Sequence, residues 1–197
     1  VNGDVNALAV IGTDLYVGGY FTNAGGAAVN NIAKYDSTNS MWSALGSGVA
    51  GGTGPGVNAL AVMDTDLYVG GLFVTAGGIT VNNIAKYTPS TGTWAALNTG
   101  TIGVDGGVNA LAVVGTNLYV GGYFTTAGGT TVNCIARYTP STGAWAALNT
   151  GTIGVNNDVT ALAVIGTDLY VGGYFHTAGG ITVNHIAKYA TATGAWS

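Results

Sequence analysis

The sequence predicts an all-β protein, a β-propeller built of four four-stranded antiparallel blades, and two observations lead to this prediction. The first is a repeat of about 51 residues that occurs four times, with copies beginning at Val5, Val57, Val108 and Val159. The second is that each copy contains four short segments rich in Val, Ile, Tyr, Phe or Trp, separated by clusters of Gly, Asn, Asp, Ser or Pro. The former residues favour strands and the latter favour turns. Four strands in a unit of this length are typical of one propeller blade.

The elements of a blade can be assigned in order along the first copy. The predicted order is a strand at 5–10, a turn at 12–14, a strand at 15–21, a loop at 22–30, a strand at 31–35, a turn at 36–40 and a strand that begins at Met41. The first strand is expected to lie innermost, because Ala7 and Ala9 are small enough for a crowded centre. Neighbouring blades should bury this strand on both faces, which explains its continuous apolar run.

The copies are similar enough to set the domain organisation. Residues 57–107 and 108–158 agree at 39 of 51 positions, which indicates recent duplication or deliberate design. We assign the blades to residues 5–56, 57–107, 108–158 and 159–197, within a single propeller domain, or an excerpt of one, at 1–197.

The number of blades in the complete ring has two interpretations, a closed four-bladed ring or half of a larger one. Residues 1–4 resemble the end of the connection at 155–158, and the last copy stops at Ser197 within its fourth strand. We therefore expect the chain to be part of a longer array. Exposed strand edges pair readily, so a head-to-tail dimer with eight blades is an alternative to the closed ring.

The composition excludes several classes of protein. Charged residues make up 6% of the chain, against roughly 25% in an ordinary soluble domain, and the net charge is −4. No basic patch could neutralise phosphates, which argues against nucleic acid as a partner. No apolar run approaches the roughly 20 residues of a membrane-spanning helix, so no membrane insertion is expected. The single Cys134 rules out an internal disulfide, and the Thr-, Asn- and Gly-rich composition favours an extracellular or cell-surface location.

Two features of the repeat carry a resemblance to a known family. The second strand of every copy contains a glycine pair, at Gly18–Gly19, Gly70–Gly71, Gly121–Gly122 and Gly172–Gly173. A Tyr then precedes a Trp by seven positions, at Tyr35/Trp42, Tyr87/Trp94, Tyr138/Trp145 and Tyr189/Trp196. This arrangement resembles a kelch blade, and the repeats are similar to propeller repeats of bacterial secreted or surface proteins and of the fungal cortical cell-polarity marker. The resemblance implies the propeller fold and leaves the function open, because propellers have many functions.

Most of the repeated residues have a structural interpretation. No helix follows the glycine pairs, so they lack the setting of a phosphate-binding loop and are expected to allow close packing between blades. The Tyr and Trp of each copy are expected to pack on one another rather than form a sugar-stacking platform. The basic residues Lys34, Lys86, Arg137 and Lys188 are expected to cover apolar surface with their stems. Asp14, Asp66, Asn117 and Asp168 fit turns better than calcium ligands, since calcium needs several oxygens from one loop.

The sequence offers no catalytic residues, no cofactor and no metal site. It contains no Glu, and its Asp residues are scattered among turns, so the paired carboxylates of a glycosidase are missing. A sialidase-like arginine cluster is impossible with Arg137 as the only arginine. His176 and His185 flank one loop and could face each other, but a structural zinc site takes four ligands. The protein is therefore expected not to be an enzyme.

The remaining candidates for function lie in the loops. The loops at 22–30, 74–82, 125–133 and 176–184 and the connections at 98–107 and 149–158 are long and almost uncharged, and they should share one rim. Neutral donors and acceptors suit hydroxyl-rich ligands or a wet protein interface. The predicted ligand-binding residues are Asn30, Asn31, Asn82, Asn83, Asn133, Asn184 and His185.

Three functional hypotheses follow. The first is a non-catalytic extracellular scaffold or adhesion module that recognises a protein or glycan partner through these loops. The second is a purely structural repeat unit of a surface layer, sheath or appendage, which would self-associate as a homodimer or larger array. The third is a designed symmetric propeller without a native role.

Overall fold

The structure is a computed structural model that describes residues 1–98, 100, 102–148 and 153–197. Within these residues the chain forms antiparallel strands and no helix, so no helix is available to cross a membrane. The chain divides into two compact units, Val1–Leu97 and Asn98–Ser197, and each unit contains two four-stranded sheets. The predicted all-β propeller fold is confirmed, and each sheet is one blade. The assignment of residues 1–197 to a single domain stays a prediction.

Each blade is a four-stranded antiparallel sheet whose strands follow one another in chain order. Unit 1 contains blade 1 (Asp4–Ile11, Asp14–Tyr20, Ile32–Asp36 and Met41–Ala44) and blade 2 (Gly56–Met63, Asp66–Leu72, Ile84–Thr88 and Thr93–Ala96). Unit 2 contains blade 3 (Val108–Val114, Asn117–Gly122, Ile135–Thr139 and Ala144–Ala147) and blade 4 (Val159–Ile165, Asp168–Gly173, Ile186–Ala190 and Ala195–Trp196). The strands of blade 1 therefore begin and end within one or two residues of the predicted positions.

Two-residue strands also lie outside the four-stranded sheets of the blades. They lie at Asn23–Ala24, Ala27–Ala28, Val49–Ala50, Thr75–Ala76, Ile79–Thr80, Thr126–Ala127, Thr130–Thr131, Thr177–Ala178 and Ile181–Thr182. Most of them form a small hairpin between the second and third strands of a blade, which we call the loop hairpin. The segment that links the fourth strand of one blade to the next blade is called the connection. In unit 1 the connection strand Val49–Ala50 pairs with Thr75–Ala76 of the loop hairpin of blade 2.

The two glycines of each pair have different structural roles. The second glycine, such as Gly19, lies against the backbone of the first strand of its own blade, where a Cβ would meet the Asp4 carbonyl. The first glycine faces the next blade of its unit: a Cβ at Gly18 would collide with Val57, and one at Gly121 would collide with Val159. The expectation that these glycines allow close packing between blades is confirmed for Gly18 and Gly121, whereas the second glycine of each pair allows close packing within its own blade.

A β-bulge in the first strand links neighbouring blades. The register between the first two strands of blade 1 shifts between Val5 and Ala7, so Asn6 is the extra residue. Its side-chain amide donates to the Val57 carbonyl of blade 2 at 3.1 Å. In unit 2 the amide of Asn109 donates to the Val159 carbonyl at the same distance. The bulge therefore aims one polar side chain at the next blade.

The core of each unit lies between its two blades. In unit 1 the buried Tyr16 of blade 1 contacts Tyr87 of blade 2, with ring centroids 6.5 Å apart. In unit 2 Tyr119 and Tyr189 repeat this contact at 6.4 Å. Within every blade the Tyr and the Trp seven positions after it pack on each other, with ring centroids 4.9–5.1 Å apart, as predicted. The aromatic residues thus stabilise the blades and their contacts.

Three of the four repeated basic residues form ion pairs with the aspartates of the repeated turn position. The Nζ atoms of Lys34, Lys86 and Lys188 lie 2.9, 2.7 and 3.6 Å from carboxylate oxygens of Asp14, Asp66 and Asp168. The partners lie on adjacent strands, which brings residues 20 apart in sequence together. In blade 3 the turn position is Asn117, whose side-chain oxygen accepts a hydrogen bond from the Thr139 hydroxyl at 2.7 Å.

Candidate functional site

A side chain just before the first strand binds the loop hairpin of the same blade in blades 1, 3 and 4. The Asn2 side-chain oxygen accepts hydrogen bonds from the backbone N–H groups of Thr22 and Asn23, at 2.9 and 2.8 Å. In unit 2, Asp105 binds the N–H groups of Thr125 and Thr126, both at 2.8 Å. Asn156 binds those of His176 and Thr177, at 2.8 and 2.9 Å. All three residues precede the first valine of their copy by three positions, so this recurring spacing was a signal that sequence reasoning missed.

The asparagines predicted to bind a ligand lie at the end of the loop hairpins. Asn31, Asn82, Asn83 and His185 all have positive φ angles, between 49° and 67°, a conformation that Asn adopts more readily than most residues. The Asn30 and Asn31 side chains donate to the carbonyls of Ser47 and Val49 in the connection, at 2.8 and 3.2 Å. Asn30 and Asn31 thus join the loop hairpin of blade 1 to the following connection, and the role of the predicted residues in ligand binding stays a prediction.

The remaining predicted residues have similar positions. The Asn83 side-chain oxygen accepts a hydrogen bond from the Phe73 N–H at 3.1 Å. The Asn133 carbonyl accepts one from the Val155 N–H at 3.1 Å, which joins its loop to the following connection. Asn184 lies beside His185 at the equivalent place in blade 4. The parts of the predicted connections at 99, 101 and 149–152 lie outside the described residues.

His176 and His185 face each other across the loop hairpin of blade 4. Their ring centroids lie 4.6 Å apart in an edge-to-face arrangement. Among the described residues no group of three His, Cys, Asp or Glu side chains is placed to hold a metal ion.

A pocket of about 270 Å³ lies in unit 2, where the connections before blades 3 and 4 approach the end of the second strand of blade 3. It is lined by Asp105, Gly106, Tyr123, Phe124, Thr125, Cys134, Asn156, Asn157 and Asp158. The lining combines an exposed aromatic ring with two carboxylates, two amides and a hydroxyl. None of the predicted asparagines lines this pocket, although Cys134 occupies the position of Asn31 and Asn83 in the repeat.

Two sequence differences accompany the pocket: the positions of Gly56 and Asn58 in unit 1 are occupied by Asp158 and Thr160 in unit 2. In unit 1 the Tyr20 ring lies over Gly56, where a Cβ would collide with it, and the Tyr20 hydroxyl donates to the Asn58 side chain at 3.2 Å. In unit 2 the residue equivalent to Gly56 is Asp158, so the corresponding Tyr123 cannot take the same position. Tyr123 is 66% exposed, compared with 40% for Tyr20. Tyr123 is one of the residues that line the pocket.

Asp105 is a fixed negative charge in this pocket. Partial burial acts to raise the pKa of Asp105, but hydrogen bonds from the Thr126 and Thr125 N–H groups and the Thr125 hydroxyl outweigh it and lower the pKa. The hydroxyl bond is 2.7 Å long. Asp105 is therefore ionised at neutral pH and accepts hydrogen bonds only.

Cys134 is a poor nucleophile in this setting. Burial raises the pKa of its thiol, and the nearby charges of Asp158 and Asp105 raise it further. The thiolate is the reactive form, and the raised pKa keeps Cys134 a neutral thiol at neutral pH. Cys134 therefore contributes apolar surface to the pocket wall.

The arrangement in the pocket suits a hydroxyl-rich ligand. A sugar ring has an apolar C–H face that an aromatic ring can cover and hydroxyl groups that carboxylates and amides can bind. The volume lies just below the roughly 300–1,000 Å³ typical of pockets for drug-sized ligands, which fits a single small ring.

Comparison with known proteins identifies the repeats. The family model of the Rax2 C-terminal beta propeller domain matches residues 52–167. A second model, of a beta-propeller domain of unknown function (DUF5122), matches residues 15–40. No curated protein matches the chain.

Solved structures with the same fold have low sequence identity to the chain. The extracellular domain of BT4673 from B. thetaiotaomicron aligns with a TM-score of 0.61 and 18% identity over 100% of this chain and 22% of that one. The computationally designed Ika8 protein aligns with a TM-score of 0.58 and 18% identity over 97% of this chain and 47% of that one. The designed Ika4 protein aligns with a TM-score of 0.55 and 17% identity over 88% and 87%. The chain thus spans less than half of the length of the first two proteins.

Proposed function

The chain belongs to the family of the Rax2 C-terminal beta propeller domain, and from this premise we propose that it is a non-catalytic extracellular module that binds carbohydrate. The observation that carries the proposal is the pocket of unit 2, in which Tyr123 and two carboxylates surround a space of about 270 Å³. Loops on a rigid β scaffold are frequent sites of recognition. The proposal narrows the protein or glycan partner predicted from the sequence to a glycan.

The chemistry of the pocket supports binding rather than turnover. Asp105 already accepts three hydrogen bonds from its own loop hairpin, which favours a fixed acceptor over a proton-transferring group. The raised pKa of Cys134 disfavours nucleophilic attack by its thiol. Asp158 and Asn156 then supply directional contacts to ligand hydroxyls, and Tyr123 supplies apolar contact.

The extracellular location rests on composition and on a structural neighbour. In a chain with 6% charged residues and many Thr and Asn residues, the surface depends on neutral polar groups for its hydration. The BT4673 structure with the same fold is itself an extracellular domain. A secretion assay with the full-length protein would test the location directly.

A glycan-array screen of the purified chain tests the function. Wild-type protein should bind one class of sugar, and heat-unfolded protein should not. The Tyr123→Ala variant should lose at least ten-fold in affinity, because the aromatic contact to the sugar face is removed. The matched control is Tyr20→Ala, which changes the same residue at the same strand end in unit 1 and should retain the affinity.

Two results would contradict the proposal. One is equal glycan binding by wild type and Tyr123→Ala, and the other is an absence of binding to every glycan class on the array. Unfolding temperatures of both variants should be measured first, so that a lost signal can be assigned to the pocket.

A further inference from the structure

In both units, the two blades pack against each other through equivalent faces. In unit 1 the front face of blade 2, formed by Val57, Leu60 and Val62, packs on the back face of blade 1, which includes Tyr16, Gly18 and Ile32. The Val57 side chain occupies the space above Gly18, and Ile32 is completely buried.

Unit 2 repeats this contact with the equivalent residues. Val159 on the front face of blade 4 occupies the space above Gly121 of blade 3. Ile135, the equivalent of Ile32, is also completely buried, and Tyr119 is buried like Tyr16. The same side chain therefore fits the same glycine gap in both units.

The front face of blade 1 is exposed. Its residues Val5, Leu8 and Val10 are the equivalents of Val57, Leu60 and Val62. Leu8 is 60% exposed and Val10 is 62% exposed. Exposed apolar groups of this size on one strand face are unusual for a surface that has no partner.

The back face of blade 4 is exposed as well. Ile186, the equivalent of the buried Ile32 and Ile135, is 63% exposed, and Ile165 is 67% exposed. A Cβ at Gly172 would meet nothing closer than Ala161 at 3.7 Å. An apolar hollow of about 160 Å³ lies over this glycine, lined by Ala161, Leu162, Ala163, Tyr170, Val171, Gly172 and Ile186.

We propose that the front face of blade 1 in one copy of the chain packs on the back face of blade 4 in a second copy, with Val5 in the hollow above Gly172. The proposal does not depend on the glycan pocket, whose lining residues lie on neither of these faces.

The blade-to-blade contacts inside the two units indicate that a second copy of the chain covers these faces. The blade 1 face carries the valine that fills the glycine gap in units 1 and 2, and the blade 4 face carries the matching gap. A contact between two front faces would oppose valine to valine without a gap. The contact is heterologous and each copy carries one face of each kind; two copies together have eight blades, within the range of four to eight usual for propellers.

One residue distinguishes this contact from the two inside the units. Asn6 and Asn109 on the back-face blades each donate to the carbonyl of the next valine, but blade 4 has Thr160 at this position. The Thr160 hydroxyl instead donates to the Gly172 carbonyl of its own blade, with the two oxygen atoms 3.4 Å apart. The contact between copies should therefore be weaker than the contacts within a unit, and Thr160→Asn should tighten it about five-fold, the effect of one added hydrogen bond.

Sedimentation equilibrium of the full chain, whose single-chain mass is 19.5 kDa, tests the proposal. Wild type should have the mass of two chains at micromolar concentration. Leu8→Asp and Ile186→Asp should each give a single-chain mass, because each buries an unpaired charge in the contact. The control is Met41→Asp, which changes a residue that is 64% exposed on the fourth strand of blade 1 and should retain the dimer.

Mixing the two variants tests the head-to-tail geometry. Leu8→Asp retains an intact back face and Ile186→Asp an intact front face, so the mixture should regain a two-chain species through one intact contact. A single-chain mass for wild type, or a dimer in Ile186→Asp alone, would overturn the proposal. Glycan binding should persist in the single-chain variants, so this proposal and the proposed function can fail separately.

Discussion

At the residue scale, single substitutions between copies decide what each site can do. The pocket of unit 2 occurs where Asp158 stands in the place of the glycine over which Tyr20 lies in unit 1. In the same way Asn117 replaces the aspartate that pairs with lysine in the other blades. The repeat therefore provides its own natural comparisons for mutagenesis.

The Asp66–Lys86 pair predicts a pH dependence of stability. Partial burial acts to raise the pKa of Asp66, but hydrogen bonds from Lys86 and Thr88 and the Lys86 charge outweigh it and lower the pKa. A lowered pKa in the folded state stabilises the fold above the unfolded value of about 4, and this contribution is lost as the pH falls through the folded value.

Asp66→Asn tests this dependence, because Asn117 shows that the repeat accepts asparagine here. The variant should lose about 0.2–1 kcal/mol at pH 7, since the pair is partly exposed and screened by solvent. Its stability should also fall less than that of wild type between pH 7 and pH 3. Urea denaturation at both pH values measures the difference, and an equal loss in the two proteins would contradict the explanation.

At the scale of the elements, the contact between neighbouring blades depends on the absence of a side chain. Gly18 and Gly121 leave room for the first valine of the next blade, and the bulge residues Asn6 and Asn109 add a hydrogen bond beside them. The hydrophobic contact is thus close-packed at its centre.

Gly18→Ala tests this packing. The added Cβ would collide with Val57, and overpacking of this kind costs typically about 1–3 kcal/mol of unfolding free energy. Gly100→Ala is the matched control, because no atom lies within 4 Å of its Cβ position, and its effect should stay within about 0.5 kcal/mol. Equal stabilities of the two variants in chemical denaturation would show that the glycine is not required for packing.

At the scale of the whole molecule, the repeat made most of the fold predictable. The strands, the Tyr–Trp contacts and the role of the glycine pairs follow from residues that recur in every copy. The ion pairs were not predicted, because Lys34 and Asp14 become neighbours only through the register of two strands. The pocket was not predicted either. The sequence shows that Asp158 occupies the position of Gly56, but it does not show that the Tyr20 ring lies over Gly56.

We propose that the side chain of Asp158 keeps the pocket of unit 2 open for a sugar. Asp158→Gly restores the glycine of unit 1, so Tyr123 should move over it and close the pocket. Asp158→Asn keeps the size of the side chain and should retain an open pocket.

Ligand-observed NMR with a panel of free monosaccharides is the most direct measurement of this claim. Wild type and Asp158→Asn should both bind a sugar of the class identified on the array, and Asp158→Gly should not bind it while remaining folded. Binding by Asp158→Gly with the affinity of wild type would contradict the account.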